Sequence, residues 1–222
     1  MVTIRRALVA SGLVMAVVAT GCSKGAATSG SVGTSDPATT ATTVLTDADL
    51  QPMLLTVDDM PTGWSIDTTD SSNSSDGMPK CLQELDSLDT GPSDASAEAK
   101  FIGSASGLPA ADETIGPFGP GAPSTFDQAT AFLDSCSDVS FDSDGQHISG
   151  TMGKMAFPAV GDQSAAWRMS YTVQGLPLTI DVVLARQGDL GVLVSAAYFG
   201  TADPRFLQTM TTKALSKLPA SA

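Results

Sequence analysis

Residues 164–173 (SAAWRMSYTV), 178–186 (LTIDVVLAR) and 190–199 (LGVLVSAAYF) are three runs rich in β-branched and aromatic side chains. Two connectors separate them: Gln174-Gly175-Leu176-Pro177 and Gln187-Gly188-Asp189. Gly and Pro at these points are turn chemistry, and the runs they bound read as strands. A parallel crossover needs about a dozen residues or more, so connectors this short imply antiparallel neighbours. The stretch is a β-meander, and it decides the fold.

Working outward, residues 147–157 form a fourth run, joined to the meander through 158–163. Before it, Val139 and Phe141 flank Ser140, and Asp142-Ser143-Asp144-Gly145 reads as a hairpin turn. After the meander, Asp203 caps a helix with Pro204 in its first turn. Phe206, Leu207, Met210, Ala214, Leu215 and Leu218 recur at helical period along it. Towards the N-terminus, Thr46 and Asp49 mark a helix start, and Pro52 keeps that helix short. A turn over 58–63 delivers Trp64 into a short strand, 64–68. Residues 79–88 read as a helix with Leu82, Leu85 and Leu88 spaced by three, and strands are expected at 100–106 and 113–118. A helix over 125–135, capped by Ser124, carries Phe126, Ala129, Phe132, Leu133 and Cys136 on one face. The expected fold is α+β: an antiparallel meander sheet of about five to seven strands packed against three or four helices.

The first 23 residues carry a different message. Arg5 and Arg6 precede an uncharged apolar run over 7–20, and no acid occurs before Asp36. That run falls short of the roughly 20 residues a membrane-spanning helix requires. Basic residues, a short apolar segment and a small-residue junction form the pattern of a secretory signal peptide. The junction Ala19-Thr20-Gly21-Cys22 resembles the lipobox of bacterial lipoprotein precursors. The resemblance implies cleavage after Gly21 and attachment of diacylglycerol to the Cys22 thiol, with fatty acyl chains such as palmitate. Two or three acyl chains hold stably where one holds marginally. Residues 1–21 are then a signal peptide. Residues 22–43, rich in Gly, Ala, Ser and Thr, form a flexible tether with an r.m.s. span of ~26 Å. A single extracytoplasmic domain follows over 44–222, held at the cell membrane by the lipid.

Charge narrows the partners. Without Arg5 and Arg6, the 24 acids face 9 basic residues, a net charge of −15. Such a surface repels phosphate backbones and anionic headgroups, which argues against nucleic acid. With Cys22 assigned to lipid, Cys81 and Cys136 remain in an oxidising setting, where a disulfide is the default reading. Two free thiols and half of a metal site are the alternatives.

The order of elements, Cys81, Cys136 and the run Val160-Gly161-Asp162-Gln163-Ser164 leading into a strand resemble one actinobacterial family. It comprises the extracellular sensor domains of mycobacterial serine/threonine kinases and related secreted lipoproteins. Over residues 44–218 the resemblance implies a compact α+β unit with an antiparallel sheet and a cleft. Family members commonly carry two disulfides, whereas this chain has cysteines for one.

Chemical motifs are sparse. Gly103-Ser104-Ala105-Ser106-Gly107 has Ala where a nucleophile elbow needs Ser. His147 is the single histidine, and it follows a hairpin turn. Asp142, Asp144 and Gly145 echo part of a calcium loop, but Gln146 and the missing terminal Glu break the pattern. A zinc set of Cys81, Cys136 and His147 matches no ligand spacing. No catalytic residue, metal site or cofactor is assigned. Trp64, Trp167, Arg168 and Tyr171 are the candidate groove residues, with Tyr198 beside them, and core anchoring is the competing reading. Met152, Met155 and Met169 suit either an adaptable apolar surface or core filling. Arg168 and Arg186 are rare cations on neighbouring strands. The expected role is a non-catalytic binding or sensor-like module of the envelope, partnered by an envelope protein or a small apolar ligand. The alternatives are a carrier holding an apolar or lipid ligand in a sheet–helix cavity, and an envelope hydrolase.

Overall fold

Gln174 and Gly175, at φ 51° and 80°, make the two-residue turn that joins the first strand pair of the meander. Both central residues of such a hairpin turn need positive φ, which glycine supplies without steric cost. Strand pairing therefore starts at Val173 opposite Leu176 and runs to Gln163 opposite Arg186. A second tight turn at Gly188-Asp189 sets Gln187 opposite Leu190.

The computed structural model describes residues 45–68, 95–119, 121–143, 146–200 and 203–219. The expected signal peptide, the tether with Cys22, and the helix at 79–88 with Cys81 lie outside these residues. The elements are α1 (Asp47–Leu50), β1 (Ser65–Ile66), β2 (Ala97–Ile102), β3 (Ala110–Pro117), α2 (Ala122–Ser135), β4 (Asp138–Ser143), β5 (Gln146–Lys154), β6 (Gln163–Val173), β7 (Leu176–Gln187), β8 (Leu190–Phe199) and α3 (Pro204–Lys217). Two single 3-10 turns, Gln51–Met53 and Val57–Asp59, continue from α1.

All strands join one antiparallel sheet of order β1-β2-β3-β8-β7-β6-β5-β4. The chain lays down β1 to β3, crosses through α2 to the far edge, and returns as the meander β4 to β8. It closes when β8 pairs with β3, Ala110 opposite Ala197 through Pro117 opposite Leu190. Eight strands exceed the expected five to seven. The reason is that the short segments β1 and β4 both find a partner at the sheet's edges, so every candidate strand is incorporated.

Strand alternation sends successive side chains to opposite faces, and both faces are covered. On one, α3 and the α1 segment pack Leu50, Leu55, Leu207, Met210 and Leu215 onto Phe101, Ile115, Val183, Val192 and Val194. On the other, α2 packs Phe126, Ala129 and Leu133 onto Val139, Trp167, Met169, Ile180 and Leu184. Strand β7 is buried on both sides, which is why 178–186 reads as a nearly continuous apolar run.

The helix boundaries follow capping chemistry. The Asp203 carboxylate accepts from the Arg205 amide at 2.9 Å, with Pro204 in the first turn, as the sequence suggests. Helix α2 starts at Ala122 rather than after Ser124, because Pro123 occupies its first turn instead of breaking it. At α1, Asp49 accepts from both the amide and the hydroxyl of Thr46, at 2.9 and 2.6 Å, and Asp59 repeats the device with Thr56.

Candidate functional site

Alternation along β6 separates the sequence candidates. Trp167 and Tyr171 point to the α2 face and are buried at 0% and 4% exposure. The Trp167 indole donates to Asp134 of α2 at 2.8 Å, and Asp134 also pairs with Lys154 at 3.0 Å. Burial raises Asp134, but Lys154 and the indole outweigh it and hold the carboxyl below its ordinary value. The Tyr171 hydroxyl meets the Met169 sulfur, and burial pushes it up to about 12. These side chains are core. Arg168, between them in sequence, emerges on the α3 face.

That face carries an open cleft of about 460 Å³, within the range of about 300–1,000 Å³ typical of small-molecule sites. One wall is Pro61 and Trp64. Gly63, at φ 95°, completes the turn in which the Trp64 amide donates to the Pro61 carbonyl at 3.2 Å. The Trp64 ring stacks on Phe206 of α3 with centroids 4.9 Å apart. A second wall is the β2–β3 loop, through Ser106, Leu108 and Pro109. Gly103 lets this loop close on the tryptophan: a Cβ there would lie 2.9 Å from Pro109 and 3.0 Å from Trp64. The serines of the 103–107 motif are spent on the loop itself, since the Ser104 hydroxyl donates to the Leu108 carbonyl at 2.5 Å and meets Ser106 at 2.7 Å. The floor is Ala196 and Asp181, and Tyr198, Phe199, Asp203, Phe206 and Leu207 complete the lining.

Asp181 is the polar centre. Its side chain is 3% exposed, and Arg168 grips it as a fork, Nε and Nη2 each 2.7 Å from a carboxylate oxygen. Tyr198 donates a third, short hydrogen bond to the same carboxylate. Burial first, then this bond to an anion, raises the Tyr198 pKa and keeps the phenol protonated. A buried carboxylate demands such partners, because an unpaired charge in a dry site costs several kcal/mol. Arg168 is 45% exposed, so the network has a wet end.

The structure thus brings Trp64 and Arg168 to one side of the sheet and leaves Trp167 and Tyr171 on the other. Tyr198 joins the first pair. Asp181 was not among the sequence candidates, although a carboxylate amid Thr179-Ile180-Val182-Val183 was a visible signal. Met152 and Met169 lie in the α2-side core, and Met155 packs against the α3-side core. Arg186 ties strand ends together, donating to Gln163 at 2.8 Å and the Gly188 carbonyl at 2.7 Å and pairing with Asp162. His147 is exposed on β5, opposite Asp142 in register. Cys136 is buried against α2. Among the described residues, no three His, Cys, Asp or Glu side chains gather as a metal site, and no helix is long and apolar enough to cross a membrane.

No protein-family model matches the chain, and no curated protein matches it. Among solved structures it resembles the extracellular domain of PknH from Mycobacterium tuberculosis, with a TM-score of 0.58 and 11% sequence identity. The match covers 79% of this chain and 97% of that one. At that identity the likeness is one of fold.

Proposed function

We propose that the chain is a lipid-anchored extracytoplasmic protein whose domain is a non-catalytic binding or sensor-like module, with its ligand seated in the α3-side cleft. The observation that carries this reading is the cleft itself: apolar walls with the stacked Trp64 and Phe206, around one polar centre whose carboxylate is fully engaged. A site built for ligand orientation has this composition, mostly apolar with a few placed polar groups. General acid–base work needs a group free to exchange a proton. Here Asp181 is held by three donors and Tyr198 is held protonated. The shared fold with the extracellular domain of PknH supports the same reading. Mass spectrometry of organic extracts from the purified full chain tests it. A compound retained by the native protein and absent from Ser106→Trp, which fills the mouth from an exposed position, is the expected result. An identical extract from both would count against the cleft.

The mainly apolar lining favours a second reading, a carrier of an apolar ligand at the membrane. A carrier transfers its cargo to acceptor vesicles, whereas a sensor module retains it. Anchoring has its own test: Cys22→Ala abolishes labelling by a fatty-acid probe and leaves unprocessed precursor. Pairing of Cys81 with Cys136 belongs to the same proposal. It would close a loop of about 56 residues and stabilise by roughly 4 kcal/mol in the chain-entropy model. An intact mass lower by two hydrogens than that of the reduced chain reads it out.

A further inference from the structure

The Arg168 fork uses Nε and Nη2, and Nη1 has no hydrogen-bond partner among the described residues. Arginine presents five N–H donors and no acceptor, so the exposed end of this network is a row of donors. The negative end is sealed, because Asp181 is 3% exposed and accepts from Arg168 and Tyr198. The space beside the guanidinium is open. Arg168 stands opposite Gly153 on β5, where a Cβ would meet nothing within 4 Å. The next pair on that face is Thr151 opposite Ser170, both exposed. The cleft therefore runs from a stacked aromatic wall to Asp181 on its floor, and beyond that neutralised ion pair lie the donor edge of Arg168 and the exposed hydroxyls of Thr151 and Ser170.

We infer that the cleft takes a small amphiphile, one apolar ring or chain with a single hydrogen-bond-accepting head such as a monocarboxylate, the head lying on the free edge of Arg168. The inference rests on the binding role proposed above and names its ligand class. A cationic head meets a guanidinium and finds no accessible carboxylate at the pair. A polyanion meets a chain with 24 acids against 11 basic residues, and Asp203 in the cleft wall itself. The volume of about 460 Å³ suits one ring system or one chain. The apolar body has Trp64, Leu108, Phe199 and Phe206 to cover it.

Calorimetric titration of the full chain with three probes sharing one ring system tests the assignment: naphthoate, naphthylmethanol and naphthylmethylamine. Naphthoate is expected to bind at least about tenfold tighter than the amine, the scale of one charge-assisted hydrogen bond. Arg168→Gln should bring naphthoate down to the affinity of the alcohol and leave the alcohol within about twofold. That variant leaves Asp181 buried without its counter-ion. The double variant Arg168→Gln/Asp181→Asn keeps the site neutral, and it decides the matter if the single variant does not fold. A double variant that still prefers the carboxylate overturns the inference while the binding role stands. Three probes of equal affinity do the same. No binding by any of the three overturns the inference and the cleft-binding role together.

Discussion

Gly103 and Asp181 are the residues on which the cleft depends. Gly103→Val would drive a side chain into Pro109 and Trp64, which lie 2.9 and 3.0 Å from where its Cβ would stand.

 Only glycine's hydrogen fits at that position. Overpacking of this kind costs about 1–3 kcal/mol, so the variant should melt lower and should lose probe affinity as the tryptophan leaves Phe206. Thermal melts and titrations of the same sample check both effects. Tyr198→Phe removes one of three donors from Asp181 and leaves the arginine fork in place, and should cost about 1 kcal/mol. Asp181→Ala should cost more, about 2 kcal/mol, held below the value for a fully buried pair because the half-exposed Arg168 can turn to water. Urea midpoints at one pH rank the two. The Arg168–Asp181 pair was within reach of the sequence. The two residues are equidistant from the Gln174-Gly175 turn, so a two-residue hairpin places them face to face. Reading the connector as four residues, through Pro177, hides that register, because Pro177 sits inside β7 opposite Thr172.

At the scale of elements, α3 does two jobs. Its N-terminal end supplies Phe206 and Leu207 to the cleft, and its last residue clamps the segment that carries Trp64. Lys217 donates to the Leu54 carbonyl at 3.0 Å and pairs with Asp59 at 2.5 Å. Burial raises Asp59, but Lys217 and the Thr56 hydrogen bonds outweigh it and hold the carboxyl at about 2. Lys217→Met keeps the aliphatic stem and removes the charge. It should cost about 1.5–3 kcal/mol, the range for a hydrogen bond to a charged group, and should speed amide exchange from Leu54 to Trp64 more than in β7 or β8. Equal acceleration across the sheet would contradict a local clamp. The meander and α3 were legible because period, turn residues and the Asp203-Pro204 cap all agree there. Strands β2 and β3 begin three residues before their expected starts because Ala97, Ala99, Ala110 and Ala111 carry little strand signal, although Ala97, Ala110 and Ala111 are buried and Ala99 packs against the core. The β3–β8 pairing joins segments about 80 residues apart, and no local pattern encodes it.

For the whole molecule, pH acts through groups on both faces of the sheet. Glu113 is fully buried under the α1 segment, with one oxygen accepting from the Leu55 amide at 2.6 Å and the other without a partner among the described residues. Burial pushes it up to about 7 from 4.5, against the Leu55 hydrogen bond. Asp112, beside Ser195 on the opposite face, is pushed up to about 6 from 3.8, again chiefly by burial. Between the unfolded and folded values the native state keeps a proton that the unfolded chain has lost, so stability falls as pH rises through these windows. Asp59 works the other way: its contribution is present above 3.8 and is lost as pH falls towards 2. Stability should therefore peak near pH 4 and decline towards neutrality. Glu113→Gln should flatten the decline between pH 4.5 and 7 and recover up to about 3 kcal/mol at neutral pH. Urea midpoints across pH test this, and a parallel decline in the variant would remove Glu113 as the cause.

Binding in the α3-side cleft, as proposed, has a direct spectroscopic signature. Amide chemical-shift mapping of the full chain during a naphthoate titration addresses it directly. Shifts are expected to gather at Trp64, Ser106, Leu108, Tyr198, Phe199 and Phe206, with Arg168 and Gly153 moving in step. Shifts gathered instead at Phe126, Ala129 and Leu133 on the α2 face, or none at saturating probe, would contradict it.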